Sequence, residues 1–344
     1  MQPVDPFLGL KQRSRSTPLS RRDFVRVLTS AASAGTGLVA TGLSGFALTA
    51  SQRAEAHEVI LAGLGKVPKV KLGPRLGNME IGRIVLCQDS APDLVEPSLA
   101  AGMNFIHKAA YWQRGRVPEA VAKMPRESYY TDVTVDNTLP GHNPDDEEDA
   151  YHQVAEQLDR TGLKYFDIFR AHRGWKSRKS FNNGDNASYR AFKRLKREGK
   201  VKYFGVSQHA TVGEYEDYVT MVEAEIASGV VDSIQCWISY ETKPEILAVF
   251  EKAHRAGISI TAMKTIVHGG DKMKKDAAKQ AELRAPGLMG RACLRYALGL
   301  KGADGKSFVD CAVSGIQNVD HFEENVGSIS QIAALQDGFE LGTV

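Results

Sequence analysis

The sequence predicts an α/β fold, a (β/α)8 TIM barrel with an N-terminal β-hairpin, and three observations support this prediction. Between residues 83 and 313, short segments rich in Ile, Val, Phe and Tyr alternate with longer amphipathic segments. Eight short segments occur, and their near-continuous apolar character is typical of buried parallel strands. No Gly-x-Gly-x-x-Gly motif follows the first of them, which argues against an open dinucleotide-binding sheet. The predicted strands are Arg83–Cys87, Asn104–His107, Ser128–Val133, Phe166–Ala171, Lys202–Val206, Val231–Cys236, Ile258–Met263 and Phe308–Val313.

The intervening helices show readable boundaries and apolar stripes. Thr242-Lys243-Pro244-Glu245 has the pattern of a capping box with proline near the helix start, and Gly257 is placed to end that helix. Apolar residues at helical spacing predict which face of each helix packs on the barrel. These stripes are Ile246, Leu247, Phe250 and Ala253; Tyr189, Phe192 and Leu195, ending at Gly199; and Val319, Phe322, Val326, Ile329 and Ala333.

A hairpin is expected before the first barrel strand. Val70–Gly82 alternates polar and apolar residues around two turn pairs, Gly73-Pro74 and Gly77-Asn78. We expect this hairpin to close the bottom of the barrel, the end at which the strands begin.

The N-terminal segment predicts export. Two adjacent arginines, Arg21 and Arg22, precede a mildly apolar stretch from Val27 to Ala50, and Ala54-Glu55-Ala56 supplies a small-residue cleavage pattern. The stretch is too weakly apolar for a stable membrane anchor. In this order the three features resemble a bacterial twin-arginine (Tat) signal. The sequence therefore predicts a cleaved signal peptide at 1–56, a barrel at 57–344, recognition by the Tat export machinery and a periplasmic location. A disordered basic tail is the alternative.

Composition excludes several other classes of function. A formal net charge of +3 from 44 basic and 41 acidic residues gives no reason to expect nucleic-acid binding. The four cysteines are widely spaced with no C-x-x-C pair, which argues against a metal centre built on thiolates.

In a barrel of this class the chemistry lies where the strands end. The residues at the predicted strand ends are Cys87, Gln88 and Asp89; His107, Lys108 and Tyr111; Asp132 and Thr134; His172; Ser207, Gln208 and His209; Gln235; Met263 and Lys264; and Ser314 and Gly315.

Three segments make the sequence resemble the aldo/keto reductases. They are residues 165–172 (YFDIFRAH), residues 198–207 (EGKVKYFGVS) and residues 315–318 (GIQN), the last followed by Glu323-Glu324-Asn325. The segments occur in the order and spacing of that family, and the resemblance extends from about Lys71 to Ile332. It implies a nicotinamide-dependent barrel enzyme that acts on a small carbonyl compound or its alcohol.

The resemblance also implies a catalytic group of Asp, Tyr, Lys and His, from which this sequence departs. His172 matches the family His, and Tyr111 is the expected proton donor, although Trp112 stands at the family's Tyr position. His107 takes the place of the family Asp. The family Lys is missing from residues 131–134 (TDVT), and Lys108 is the candidate charge partner of the Tyr.

Three interpretations follow from these departures. Lys108 supplies the positive charge beside Tyr111 in a modified reductase, or the barrel binds a nucleotide or another ligand without turnover. In the third, His107 and His172 hold a metal with Asp89, Asp132 or Cys87, since His and carboxylate ligands from separate strand ends form many barrel metal sites.

The cofactor side matches the family more closely, and the implied cofactor is NADP or NAD. Gly315 opens a turn into a helix N-terminus, which suits a phosphate group. Residues 262–266 followed by Gly269-Gly270 resemble a phosphate loop of one family branch. Gln317 and Asn318 replace the usual basic residue for a 2′-phosphate, so the choice between NADP and NAD stays open. The implied cofactor-binding residues are Ser207, Gln208 and Gln235 at the nicotinamide carboxamide, Lys264 and Gly315 at the phosphates, Gln317, and Glu324 and Asn325 at the adenine end.

Overall fold

The computed structural model describes residues 66–108, 121, 124–135, 146–172, 186–209 and 215–329, all of which belong to the unit Leu64–Val344. The predicted signal peptide, its cleavage site, Tyr111 and Trp112 lie outside the described residues. The predicted boundary between residues 56 and 57 therefore stays a prediction.

Eight parallel strands form a closed barrel, which confirms the predicted fold class. The eight strands neighbour one another in chain order, and the eighth pairs with the first to close the barrel. The barrel strands are β3 (Ile84–Leu86), β4 (Phe105–Ile106), β5 (Tyr130–Val135), β6 (Phe166–His172), β7 (Val201–Gln208), β8 (Ser233–Trp237), β9 (Ser259–Met263) and β10 (Cys311–Ser314).

Helices surround this barrel. Within the described residues they are α1 (Val95–Ala100), α2 (Glu147–Thr161), α3 (Ala187–Arg197), α4 (Tyr215–Ser228), α5 (Pro244–Arg255), α6 (Gly270–Lys275), α7 (Ala277–Glu282), α8 (Met289–Leu298) and α9 (Val319–Ile329). None of these described helices has the length and apolar character needed to cross a membrane.

The predicted boundaries of helix α5 are confirmed, but its predicted capping box is wrong. Helix α5 begins at Pro244 and Gly257 follows its end at φ 81°, but the capping box does not form. The Thr242 hydroxyl instead accepts a hydrogen bond from the Ser239 backbone N–H at 2.8 Å, because it closes the turn after β8. The helix is therefore capped by Lys243 without a side-chain bond. On its buried stripe Val249 replaces the predicted Leu247, which is half-buried.

The predicted N-terminal hairpin is confirmed and closes one end of the barrel. Strands β1 (Lys69–Lys71) and β2 (Glu80–Gly82) pair in antiparallel fashion around a 3-10 turn at Pro74–Leu76, and Gly77 ends that turn at φ 61°. Apolar side chains of the hairpin pack on residues at the beginning or middle of four barrel strands, which places the hairpin at the end where the strands begin. This apolar cluster comprises Val70, Leu72, Leu76, Met79, Ile81, Val85, Phe105, Ile168 and Cys311.

Truncating the centre of this cluster should destabilise the barrel. Leu76 is fully buried, so Leu76→Ala should lower the free energy of unfolding by about 2–5 kcal/mol through lost burial and a cavity. Urea unfolding followed by circular dichroism measures the change. Val267→Ala, at a side chain that is 80% exposed, is the control and should change stability by less than about 0.5 kcal/mol. Equal effects in both variants would contradict the assigned role of the hairpin.

Candidate active site

A buried polar network lies where three neighbouring strands approach their carboxyl ends. Its centre is the Asp132 carboxylate on β5, which is 1% exposed. His107, directly after β4, donates from Nδ1 to Asp132 Oδ2 at 2.9 Å, and Arg170 on β6 donates from Nε at 2.5 Å. The Lys108 backbone N–H donates to Asp132 Oδ1 at 2.6 Å. Three donors from two neighbouring strands therefore converge on one carboxylate.

The charges in this network are fixed by its surroundings. Burial alone would raise the pKa of Asp132, but the attraction of His107 and Arg170 and the hydrogen bonds from His107 and Lys108 outweigh it, so the pKa is lowered. Burial lowers the pKa of His107, and Asp132 opposes that effect only in part. We therefore assign an ionised Asp132, a permanently charged Arg170 and a neutral His107.

The neutral imidazole connects the network to a fourth strand. Since Asp132 is ionised and only accepts, His107 must carry its proton on Nδ1, which leaves Nε2 as an acceptor. The side-chain Nε2 of Gln235 on β8 lies 3.3 Å from His107 Nε2. The second arm of Arg170 reaches the hydroxyl of Ser233, also on β8, at 3.2 Å. The network thus spans the barrel interior from β4 to β8.

Sequence reasoning missed Arg170 and the role of Asp132. In the sequence, residues 131–134 mark the place of the missing lysine and Asp132 is a candidate metal ligand, while Arg170 belongs only to a family motif. One signal was available: an arginine in the middle of an otherwise buried strand, Phe166–His172, needs an acidic partner. Asp132 is the acidic residue on the adjacent strand that meets this need.

A pair of histidines lies at the same edge of the barrel. His172 is the last residue of β6, and its Nε2 lies 3.1 Å from Nε2 of His209, just after β7. His209 Nε2 also lies 3.1 Å from the Ser207 hydroxyl. His209 therefore links two residues predicted for the site, His172 and Ser207. The sequence analysis assigns no role to His209.

Two strand-end lysines share an unusual backbone conformation. Lys264 directly follows β9 and has φ of 58°. Lys108 is the second residue after β4 and has φ of 53°. This left-handed region is uncommon for residues other than glycine and marks a constrained position. The Asp132 carboxylate holds Lys108 there through its backbone N–H, while the Lys264 ammonium lies 5.7 Å from the centre of the Trp237 ring.

Gln208 faces a buried carboxyl group outside the barrel. Its side-chain amide donates to Glu225 on α4. Glu225 is fully buried, and burial raises its pKa to about 8, although the Gln208 bond opposes the shift. The amide of Gln208 therefore has a partner in helix α4, and its implied contact with the carboxamide stays a prediction.

The predicted phosphate and adenine end lies around the start of α9. An added Cβ at Gly315 would meet open space, so this turn has room beside it. Gln317 donates to the Asp89 backbone carbonyl, and the Asn318 side chain accepts from the His321 backbone N–H at 2.8 Å. The side chains of Gln317 and Asn318 thus stabilise the backbone of the turn and of the helix start that follow Gly315.

Helix α9 also carries Glu324 and Asn325. Glu324 accepts a hydrogen bond from the Arg291 backbone N–H at 3.1 Å, so a basic residue that the sequence analysis missed lies beside the predicted adenine-binding residues. Asn325 is 2% exposed, and its Nδ2 donates to the His321 carbonyl at 2.6 Å. Its Oδ1 has no hydrogen-bond partner among the described residues.

The metal interpretation gains no support from this geometry. Among the described residues, no three His, Cys, Asp or Glu side chains are grouped to hold a metal ion. Both ring nitrogens of His107 are engaged by Asp132 and Gln235. Burial raises the pKa of Cys87 to about 11, so its thiol is protonated at neutral pH and is a poor ligand.

The aldo/keto reductase family profile matches residues 76–286, more than half of the chain. The chain belongs to the aldo/keto reductase family. Its members are oxidoreductases that generally use NAD(P)H. No curated protein sequence matches the chain significantly.

Solved structures agree with this fold. A candidate aldo-keto reductase from Pseudomonas aeruginosa is 18% identical, with a TM-score of 0.57, over 77% of this chain and 96% of that one. An aldo/keto reductase from Brucella melitensis is 20% identical, with a TM-score of 0.52, over 76% and 93%. A thermostable aldo-keto reductase solved with the inhibitor epalrestat is 18% identical, with a TM-score of 0.57, over 76% and 93%. At these identities the likeness shows the fold alone.

Three of the buried polar atoms that have no partner among the described residues lie at or beside positions that the resemblance assigns to a nicotinamide dinucleotide. Gln235 Oε1, Ser314 Oγ and Asn325 Oδ1 are buried and have no hydrogen-bond partner among the described residues. Buried polar groups are nearly always paired, so each of these atoms needs an explanation. Gln235 and Asn325 occupy the positions that the resemblance assigns to the two ends of the cofactor, and Ser314 directly precedes Gly315.

Removing the central charge should destabilise the enzyme. Asp132→Asn leaves the buried Arg170 guanidinium without its acidic partner, and the free energy of unfolding should fall by about 3–5 kcal/mol. Guanidinium chloride unfolding measures the change. The matched control is Glu80→Gln, which removes the exposed ion pair with Lys69 and should cost less than about 1 kcal/mol. If Asp132→Asn also lowered the free energy of unfolding by less than about 1 kcal/mol, the result would contradict the assigned ion pair.

Glu225 should give the enzyme a pH-dependent stability. Its pKa of about 8 in the fold lies above the unfolded value of 4.5, so folding takes up a proton and stability falls as pH rises through that window. At pH 7 this costs roughly 3 kcal/mol. Glu225→Gln cannot ionise, so its melting temperature relative to the wild type should increase between pH 5 and pH 8. Glu223→Gln, an exposed control on the same helix, should show no such trend.

Proposed function

We propose that this chain is an exported aldo/keto reductase that transfers hydride between NAD(P)H and a small carbonyl compound or its alcohol. One observation carries the proposal: Gln235 and Asn325 each keep a buried acceptor atom without a partner among the described residues. These are the positions at which the resemblance puts the nicotinamide carboxamide and the adenine. A bound dinucleotide would satisfy both atoms, because it carries an amino group at each end.

The chain's own residues would bind and orient the reactants. Ser207 and Gln235 would hold the nicotinamide, which supplies the hydride when bound. His172 would hydrogen-bond and orient the carbonyl group, and Tyr111 would donate a proton to its oxygen. A phenol with an ordinary pKa near 10 is a poor acid at neutral pH, so Tyr111 needs a nearby positive charge. Lys108 is the proposed source of that charge, since Arg170 is already paired with Asp132.

His107 would support the site without reacting. It replaces the family Asp, and its carboxylate partner comes from the next strand as Asp132. The site therefore keeps a buried acid at this edge of the barrel. The acid lies on β5 instead of at the family's Asp position, which His107 occupies. This arrangement favours a modified reductase over a barrel that has lost its catalytic residues.

Cofactor binding is the first test. Purified residues 57–344 should bind NADPH or NADH saturably in a fluorescence titration, and no binding at millimolar cofactor would contradict the proposal. Asn325→Ala should weaken binding about tenfold, the effect of one lost hydrogen bond in a buried site. Asn104→Ala is the matched control, because that amide bonds Gly82 and Glu80 at the opposite end of the barrel. A panel of carbonyl substrates then distinguishes turnover from binding alone.

Export by the Tat route is the second test. In a bacterial host, the full chain with Arg21→Lys and Arg22→Lys should remain unprocessed in the cytoplasm, whereas Arg26→Lys should be exported and cleaved like the wild type. Processing of the double variant would contradict the Tat assignment. Since this route carries folded proteins, mass spectrometry of the exported wild type should also find bound nucleotide.

A further inference from the structure

A chain of hydrogen bonds determines which way the side-chain amide of Gln235 points. Burial lowers the pKa of His107 and keeps the imidazole neutral, and Asp132 accepts from its Nδ1, so His107 Nε2 is left with a lone pair, 3.3 Å from Gln235 Nε2. An amide oxygen at that position would face another acceptor. Gln235 must therefore turn its NH₂ group toward His107 and its Oε1 away.

The atom that is turned away is the one without a partner. Gln235 is 1% exposed, and its Oε1 has no hydrogen-bond partner within the described part of the chain. A buried acceptor in this position is complementary to a donor, and a carboxamide NH₂ is such a donor. The reversed amide would present NH₂ instead and would favour the oxygen of the same group.

We propose that His107, held in one tautomer by Asp132, is a positioning residue that sets Gln235 to accept a hydrogen bond from the nicotinamide carboxamide NH₂. The inference rests on the proposed function and goes beyond it, since it assigns His107 an effect on cofactor recognition. Arg170 contributes from a distance, because its charge keeps Asp132 ionised and thereby keeps the proton on His107 Nδ1. The ion pair and the cofactor site are in this way one hydrogen-bonded system.

A cofactor analogue tests this contact without measuring activity. In the 3-acetylpyridine analogue of NAD a methyl group replaces the carboxamide NH₂, and the rest of the molecule is unchanged. The ratio of the two dissociation constants, measured by calorimetry, therefore reports the NH₂ contact. The wild type should prefer NAD over the analogue about tenfold, the effect of one buried hydrogen bond.

Two replacements of His107 separate positioning from simple support of Asp132. An Asn amide nitrogen lies as many bonds from Cα as His Nδ1, so His107→Asn can still donate to Asp132 but cannot reach Gln235. Its preference for NAD should fall to about twofold or less, because Gln235 is then free to reverse. His107→Gln places a polar atom at the distance of His Nε2 and should retain more of the preference. His254→Asn is the matched control, since that histidine contacts Asp310 at the opposite end of the barrel.

The outcomes are distinct. No binding in either the NAD or the NADP series, each tested with its 3-acetylpyridine analogue, contradicts the proposed function itself, whereas binding without preference in the wild type overturns only the inference about Gln235. An unchanged preference in His107→Asn shows that His107 merely supports Asp132 and overturns the positioning role. If that variant does not fold, ¹⁵N spectra of histidine-labelled wild type give the answer. A neutral His107 protonated at Nδ1 is expected with cofactor bound, and protonation at Nε2 would overturn the inference.

Discussion

The negative charge of Asp132 is the constraint on which the candidate site depends. Its carboxylate is buried inside the barrel, where an unbalanced charge would cost several kcal/mol. Arg170 balances that charge from the neighbouring strand, and His107 and the Lys108 backbone complete its hydrogen bonds. The strand ends of β4, β5 and β6 are thereby held together by one group. The left-handed conformation of Lys108 is part of the same arrangement.

This network also links the fixed position of Asp132 to the orientation of the Gln235 side-chain amide. Burial makes His107 neutral, the charge of Asp132 fixes its tautomer, and the tautomer fixes Gln235 on β8. The histidine pair His172–His209 lies at the same edge and contacts Ser207. Groups proposed to hold the nicotinamide and the carbonyl therefore rest on strands rather than on loops, which limits their motion.

The fold could be predicted from the sequence because its signals are local. Apolar strands, helix stripes and turn residues repeat along the chain, and even the closing hairpin shows alternation around Gly77. The partners in the site could not be predicted in the same way. Which of Thr131, Asp132 and Thr134 faces the barrel interior depends on strand register, and the match of Asp132 with Arg170 depends on neighbouring strands. The predicted capping box does not form for a related reason. The Thr242 hydroxyl oxygen accepts from the Ser239 backbone N–H instead of from a backbone N–H of the helix.

A double-mutant cycle on Asp132 and Arg170 tests most directly whether these two side chains form the ion pair on which the site depends. Asp132→Asn and Arg170→Met are made singly and together, and the free energy of unfolding is measured for all four proteins. We predict that the double variant is more stable than the sum of the single losses implies, by about 2 kcal/mol or more, because methionine leaves no uncompensated charge. Additive losses would show that the two side chains do not stabilise each other and would contradict the ion pair as the support of the site.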